Sequence, residues 1–452
     1  MKPGKVSIVG AGLTGPLLAL MLAQRGFAVT LHERRPDPRA AQGEAGRSIN
    51  LSLSARGIRP LERCGVFSRV EPWLIALRER MVHELSGRST AQAYGQRPEE
   101  VHYSVGRTAL NRVLTEAAER AGVEVRFGHR CLGLDPGTGR LRFLDVSSGR
   151  EYESDLEAAI AADGAGSTLR GSLAAAGVSE VRIEPLDHDY KEMTLPGLAG
   201  RHLLAPGALH IWPRGGFMLI ALANPDGSFT VTLFLARTGA ESFAELSTPA
   251  AVARFFAEQF PDLREHLPRL LADFHHNPQG QLATVHTSGW HLGGKVLLLG
   301  DAAHAIVPFH GQGMNAGFED CSVLESLLDG CADWPELFSE FERLRRPNTE
   351  AIATMALENY LEMRDSVRDP SFLRRKQLAF ALERQFPDRF IPRYSMVMFH
   401  SEIPYLEALR RGRTQLAILE DLDRRRTPDG EIDMDLAQTL VRERLPALTG
   451  TA

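Results

Sequence analysis

The sequence predicts an α/β chain: a Rossmann-like dinucleotide-binding framework with an inserted antiparallel sheet and a helical C-terminal region. Three observations predict it. The chain opens on a strand, glycine turn and helix, KVSIVGAGLTGPLLALMLA. Its middle holds alternating strands separated by Gly, Asn, Pro and Asp, and everything after about residue 333 has helical spacing.

Taken in order, KVSIVG (5–10) is a short apolar strand, Leu17 to Gln24 an alanine- and leucine-rich helix, and AVTLHE (28–33) a second strand. Residues 34–47, rich in Arg, Pro, Asp and Gly, break the pattern. Helical spacing returns from Ala55 to Leu77, and RMVHEL (80–85) reads as a strand. Leu110, Val113, Leu114, Ala117 and Ala118 form one helix face within Arg107 to Ala121, and VEVRFGHR (123–130) alternates as one strand. A hairpin then feeds a buried strand ending at Asp163.

Between 181 and 290 the strands ALHIWP (208–213), GFMLIAL (216–222) and SFTVTLFLA (228–236) predict an antiparallel sheet. The framework resumes at KVLLLGDAAHA, and the helices that follow carry a predicted break at Pro347 and a kink near Pro387 and Pro392. The expected division is 1–180 for the first part of the dinucleotide-binding domain, with strands near 80–104 serving the substrate site. Residues 181–290 are then the antiparallel domain, 291–365 the second part of the framework with its long helix, and 366–452 the helical region.

Composition narrows the function. A net charge of -5 gives no electrostatic footprint for nucleic acid, so a small-molecule partner is expected. Cys64, Cys131, Cys321 and Cys331 lack C-x-x-C spacing, which argues against a zinc site or disulfide framework and suits a reducing compartment. No window reaches the roughly 18 to 20 apolar residues of a membrane span. A soluble, cytoplasmic chain is expected.

Gly10-Ala11-Gly12-Leu13-Thr14-Gly15 lies between strand and helix, with Glu33 ending the next strand. The first glycine makes the turn, the second admits a pyrophosphate to the backbone, and the third lets helix and strand pack closely. Glu33 is placed to accept from ribose hydroxyls. Asp163-Gly164-Ala165-Gly166-Ser167 and Gly300-Asp301 follow two further strands, and in a doubly wound sheet such ends converge on one edge. The motif by itself leaves FAD and NAD both open. FHGQGMNAGFEDC (309–321) starts a helix with residues that disfavour helix interiors, which exposes backbone N–H groups to something electron-rich.

GAGLTG, ADGAGSTLR and GDAAHAIVPFHGQGMNAGFED together resemble the single-component flavin-dependent aromatic hydroxylases, from about residue 5 to at least 330. RSINLSLSARG (47–57), YKEM (190–193), LHIWPRGGFMLIAL (209–222), PFHGQGMNAGFEDC (308–321) and ENYLEMRD (358–365) are similar, within that group, to the kynurenine 3-monooxygenase family. Eukaryotic members carry a C-terminal membrane anchor. The polar end here resembles the soluble bacterial type, so no membrane anchor is expected.

The resemblance implies tightly bound, non-covalent FAD, with NADPH and O2 as co-substrates and L-kynurenine as substrate. It maps Asp301 to the ribityl chain and Gly313, Met314 and Asn315 to the pyrimidine side of the flavin. It maps Arg107 to the phosphates and implies further FAD contacts at Leu13, Thr14, Arg34, Arg35, Ser52 and Cys131. Arg80 and Tyr94 match the residues that hold the substrate carboxylate; by pattern alone they read as a surface arginine and an ordinary half-buried tyrosine. Asn359, Glu362 and Met363, spaced to share a helix face, map to the substrate, as does Tyr394. Pro308, His310, Gly311 and Glu362 are candidates for lining the reaction space, although no side chain is singled out as catalytic.

His304 and His310 read as hydrogen-bonded structural histidines, and no metal is expected. The implied reaction is ring hydroxylation ortho to the aniline nitrogen through a flavin C4a-hydroperoxide. A homodimer is compatible with the pattern. A related hydroxylase acting on a modified kynurenine or another anthraniloyl compound, and a non-catalytic flavin-fold protein, stay as alternatives.

Overall fold

The structure is a computed structural model that describes residues 1–39, 50–135, 138–154, 157–367, 369–426 and 431–448. Residues 47–49 of the RSINLSLSARG segment lie outside the described residues. Among these, Lys5–Val9, Ala28–Glu33, Ala158–Ala161 and Val296–Leu298 form the centre of a six-stranded sheet, with Glu124–Phe127 and His291–Leu292 at its edges. All neighbours pair parallel except the last two-residue strand. The central strands are covered on both faces, which explains their continuous apolar runs. Because Lys5–Val9, Ala158–Ala161 and Val296–Leu298 are neighbours, their C-terminal ends bring Gly10, Asp163 and Asp301 to one edge.

The first helix spans Thr14–Gln24 and starts three residues earlier than its spacing suggests, since Pro16 fits the first turn. VEVRFGHR is two strands. Gly128, with φ +74°, breaks it, leaving Glu124–Phe127 in the parallel sheet and sending His129–Asp135 into a separate sheet with Arg140–Asp145 and Arg150–Ser154. The predicted helical run to Leu77 also ends early: after Ala55–Arg63 and Phe67–Val70, Leu74–Leu77 is a strand pairing with His102–Gly106, which in turn pairs with Asn50–Leu53. Tertiary pairing overrides the local helical spacing there.

The second large sheet has seven strands in the order Gly280–Ser288, Glu180–Leu195, Phe229–Ala236, Met218–Ala223, Ala208–Pro213, Glu79–His83 and Ser89–Ala93. It is mixed, because Ala208–Pro213 runs parallel to Glu79–His83. One face packs on helices Pro249–Gln259 and Leu267–His276, which strand spacing did not reveal, through Phe256, Leu270 and Phe274. The opposite face contributes Val82, Ile211, Met218 and Phe234, packed with Phe309, Ala356 and Tyr360.

Pro347 does not break its helix. Trp334–Leu361 runs through it, so only the bond to the carbonyl four residues back is forfeited, and burial of Phe338, Phe341, Ile352 and Met355 along the helix holds it. A π-helical turn, Glu362–Ser366, follows directly. Asn359 and Met363 meet, Nδ2 to Sδ at 3.3 Å, and Glu362 and Met363 both lie on this wider turn. Pro387 and Pro392 lie between helices Pro370–Gln385 and Arg393–Met398, and Tyr405–Arg424 and Met434–Arg444 complete the region. Among the described residues no helix is long and apolar enough to cross a membrane.

Candidate active site

The glycine loop has the form a dinucleotide requires. Gly10 has φ +103°, and a Cβ there would lie 2.4 Å from the Ala162 carbonyl; one on Gly15 would lie 1.9 Å from the Gly10 carbonyl. Among the described residues nothing lies within 4 Å of the missing Cβ of Gly12, so its backbone is open to a ligand. Asn111 donates from Nδ2 to the Ala11 carbonyl at 3.0 Å and to that of Gly12, an anchor the sequence reading missed. Glu33 accepts from the Ala11 N–H at 2.9 Å and from Arg35 N and Nε at 3.0 and 2.9 Å. Burial works against its charge, yet these bonds to Arg35 and Ala11 prevail and hold the carboxyl below its ordinary value.

Arg34 and Arg35 are exposed beside it. His32, stacked on Phe143 at 4.1 Å, and Cys131 border the same space. Burial, with Arg126 and His129 nearby, lowers His32 to about 3, and burial raises the Cys131 thiol to about 12. Arg107, exposed at the first position of Arg107–Arg120, borders it too.

Asp163 accepts at Oδ2 from the first N–H groups of helix Thr168–Ala175, those of Thr168 and Leu169, at 2.8 and 3.4 Å, while Ser167 caps the helix. Among the described residues Asp163 Oδ1 has no partner, and burial raises its carboxyl. Asp301 is exposed at the start of Asp301–His304. Gly300 before it has φ +61° and gives its N–H to Asp320, whose Oδ2 also meets His304 Nε2 at 2.6 Å. His304 is therefore a hydrogen-bonded structural residue.

The glycine-rich stretch divides its labour. Gly311 adopts φ +66° and packs on Ser52, where its own Cβ would lie 2.7 Å from the serine Cβ. Helix Gly313–Leu327 begins there, and its first N–H groups have no partner inside the helix. The Asn315 side chain is fully buried: Nδ2 donates to the Ser52 and Gly311 carbonyls, both at 2.8 Å, and Oδ1 accepts from the Ser54 N–H at 2.9 Å. Only its backbone is left for a cofactor. Gln312 turns away, accepting from Tyr405 Oη at 2.7 Å and donating to Met398 Sδ.

Beyond Pro308 and Gly311 lies a cationic cluster. Arg80, 5% exposed on Glu79–His83, has its guanidinium 5.8 Å from the Tyr94 ring centre and 3.6 Å from Glu362. Burial opposes its charge, but Tyr94, Glu362 and Tyr394 raise the guanidinium above its ordinary value, while burial raises both phenols and keeps them protonated. Tyr94 stacks on Tyr394, which stacks on His310 at 5.4 Å. Asn359 donates to the Phe309 carbonyl at 2.7 Å.

Two groups here, His102 and Lys376, carried no sequence signal. His102 meets Ser52 Oγ through Nδ1 at 2.7 Å and lies edge-on to Tyr94, with Nε2 unpartnered among the described residues. Burial takes His102 to about 3 and His310 to about 4, so both are neutral. Lys376, on Pro370–Gln385, is brought down to about 8 by burial and then by Arg80, against the pull of Glu362.

One cavity of about 820 Å³ joins all of this. It is lined by Gly10, Gly12, Leu13, Thr14, Glu33, Arg34, Arg35, Ser52, Arg107, Cys131, Asp163 and Asp301 at one end, and by Arg80, Tyr94, Asn359, Met363 and Tyr394 at the other, with Pro308–Gly311, Gly313 and Met314 between. Of the expected residues, Gly15, Asn315 and Glu362 stand behind the wall: the first in close packing, the second as a clamp and the third paired with Arg80.

Residues 4–355 match the family model of the FAD binding domain. The chain is 44% identical over 446 residues to the kynurenine 3-monooxygenase of Stenotrophomonas maltophilia, covering 98% of each. It is 45% identical over 442 residues to that of Myxococcus xanthus, covering 97% of this chain and 95% of the other. Among solved structures, 2-methyl-3-hydroxypyridine-5-carboxylic acid oxygenase aligns over 82% of this chain and 96% of its own, with TM-score 0.66 and 20% identity. PqsL of Pseudomonas aeruginosa, solved with 2-aminobenzoylacetate, aligns over 82% and 99%, with TM-score 0.65 and 20% identity. The open glycine loop, the three converging strand ends and these relatives lead to one assignment: the chain belongs to the kynurenine 3-monooxygenase family and is a flavin-dependent monooxygenase of the FAD-binding fold.

Proposed function

We propose that the protein hydroxylates L-kynurenine at the ring carbon ortho to its amino group, consuming NADPH and O2 and releasing 3-hydroxykynurenine and water. The observation that carries this reading is the single cavity joining a dinucleotide cradle to a buried guanidinium flanked by two neutral phenols. When bound, FAD supplies the redox chemistry, taking reducing equivalents from NADPH and activating O2 toward an electron-rich ring.

The residues in this reading divide by chemistry. Gly10, Gly12, Leu13 and Thr14 hold the pyrophosphate with help from Arg107, Glu33 holds the adenosine ribose beside Arg34, Arg35 and Cys131, and Asp163 and Asp301 serve the linking chain. Ser52, Gly313, Met314 and the Asn315 backbone flank the flavin ring, where unpartnered helix N–H groups favour the negative charge of its reduced form. Arg80 binds the substrate carboxylate, with Tyr94 and Tyr394 donating to it.

Leu209, Met218, Ile220 and Phe234 from the seven-stranded sheet, with Met363, offer the aromatic ring an apolar slot that excludes water. Asn359, Pro308, His310 and Gly311 border that slot, and Glu362 backs it through its pairing with Arg80. The substrate's own amino group donates electrons to the ring, so no side-chain base is required to activate it. With a single G-x-G-x-x-G, the nicotinamide visits only transiently, and carboxylate capture at Arg80 triggers fast flavin reduction. Cytoplasmic location and a homodimer complete the reading.

The test is a substrate panel that follows NADPH oxidation against hydroxylated product and peroxide. L-Kynurenine should give product in near-equal amount to NADPH consumed. Peroxide alone with kynurenine, and product with a modified kynurenine or another anthraniloyl acid, would overturn the assignment of substrate.

A further inference from the structure

Arg56 touches no part of the cavity, yet it contacts the elements that carry both of its ends. It lies in the RSINLSLSARG segment, on Ala55–Arg63, and is 1% exposed. Nη1 donates to Glu319 Oε1 at 2.7 Å, and Glu319 belongs to Gly313–Leu327, the helix that opens with the proposed flavin cradle. Every other contact reaches the C-terminal region. Nε donates to the Val397 carbonyl at 3.2 Å, Nη2 to those of Met396 and His400 at 3.4 and 3.2 Å and to Ile403, and Nη1 to Ser401 at 3.4 Å.

These carbonyls end helix Arg393–Met398 and form the turn behind it, and that helix carries Tyr394. The guanidinium also lies 4.1 Å from the centre of the Tyr405 ring, whose hydroxyl bonds to Gln312 in the glycine-rich stretch. On the cradle side, Glu319 Oε2 accepts from Arg345 Nη1 at 2.6 Å, Arg345 Nε donates to Asp320 at 2.6 Å, and Asp320 holds the Gly300 N–H. A charge this deeply withdrawn from water persists only when every donor is matched, and here each is.

We propose that Arg56 is a positioning residue: it sets the place of Tyr394 relative to the ring cradle, so that capture of the substrate carboxylate depends on a guanidinium that never meets the substrate. The proposal rests on the reading of Tyr394 as part of the carboxylate clamp. Lysine cannot replace Arg56, because a single ammonium with three donors cannot span one carboxylate and five carbonyls.

A double-mutant cycle tests it, using FAD-loaded enzyme and L-kynurenine: wild type, Arg56→Lys, Tyr394→Phe and the double variant, with KM, kcat and FAD content measured for each. Arg56→Lys should keep its FAD and raise KM for kynurenine roughly tenfold, as expected of residues coupled through one network. Tyr394→Phe should cost far less in the Arg56→Lys background than in wild type. Fold-changes that simply multiply overturn the role of Arg56 and leave the clamp standing. An unchanged KM in Tyr394→Phe overturns the clamp itself and the Arg56 proposal with it. If Arg56→Lys does not fold, the same cycle run with Glu319→Gln decides, since that change loosens the strut at its cradle end.

Discussion

Tyr94 and Tyr394, from opposite ends of the chain, lie face to face with ring centres 5.1 Å apart and planes 10° from parallel. Tyr94 follows the edge strand Ser89–Ala93 of the seven-stranded sheet, and Tyr394 rides on the short helix Arg393–Met398. The pair joins the sheet to the C-terminal helices beside Arg80, so the proposed clamp exists only once both have come together.

Replacing Arg80 with Ala should raise KM for kynurenine by about 2 to 5 kcal/mol in apparent binding, the usual cost of removing one partner of a buried charge pair. Flavin reduction by NADPH should then lose its dependence on kynurenine. Steady-state KM and stopped-flow reduction rates check this, and an unchanged KM removes Arg80 from the site.

Gly15→Ala and Gly12→Ala should fail in different ways. A methyl on Gly15 meets the Gly10 carbonyl and forces helix and strand apart, so the melting temperature should fall sharply. A methyl on Gly12 meets none of the described residues within 4 Å, so the fold should survive while FAD affinity drops. Thermal melts paired with flavin absorbance separate the two; retention of full flavin by Gly12→Ala would contradict the proposed pyrophosphate approach.

Asn315→Ala should cost stability even in the FAD-free protein, because it strands the Ser52 and Gly311 carbonyls and the Ser54 N–H, at about 1 to 3 kcal/mol for a buried group left unpaired. Asn315→Asp should lose the two donated bonds and keep the accepted one. Denaturant midpoints of the apo proteins report this directly.

Acid should destabilise the fold well above the range of its carboxylates. Burial lowers His32 and His102 to about 3 and His310 to about 4, whereas an unfolded histidine takes its proton near 6.5. Between those values the unfolded chain binds more protons, so stability is full above pH 6.5 and drains away as pH falls toward 4. Denaturant midpoints at pH 7.5 and 5.0 should differ in that direction, and His102→Gln should reduce the difference. A midpoint insensitive to pH across this range would refute it.

The parts of the site legible in the sequence were those answering a local need. Gly10 and Gly15 are demanded by a tight turn and a close crossing, Gly12 leaves the loop open where the proposed ligand approaches, and Glu33 ends the next strand. Asp163 and Asp301 follow from the rule that parallel strands present their C-terminal ends together. What stayed hidden depends on partners far along the chain. Leu74–Leu77 has helical spacing but pairs with His102–Gly106, Pro347 is carried through by packing, and helices Pro249–Gln259 and Leu267–His276 sit in a stretch read for its strands. Gln312, between the two glycines, turns to Tyr405, a partner 93 residues away that no local pattern reveals. The resemblance supplied Arg80 and Tyr94, which local pattern ranked as an ordinary surface charge and a half-buried ring; both are buried on the cavity.

The parallel pairing of Ala208–Pro213 with Glu79–His83 has a consequence for how the chain is made. The hairpin at 79–93 emerges early and has no sheet to join until residue 213 has been synthesised. The parallel sheet in turn waits for Val296–Leu298. Both walls of the cavity are thus finished late in translation, by pairings between distant segments that form slowly. A chain stopped short of Leu298 lacks the strand that leads to Asp301, so one side of the proposed cradle is absent until that strand has been made.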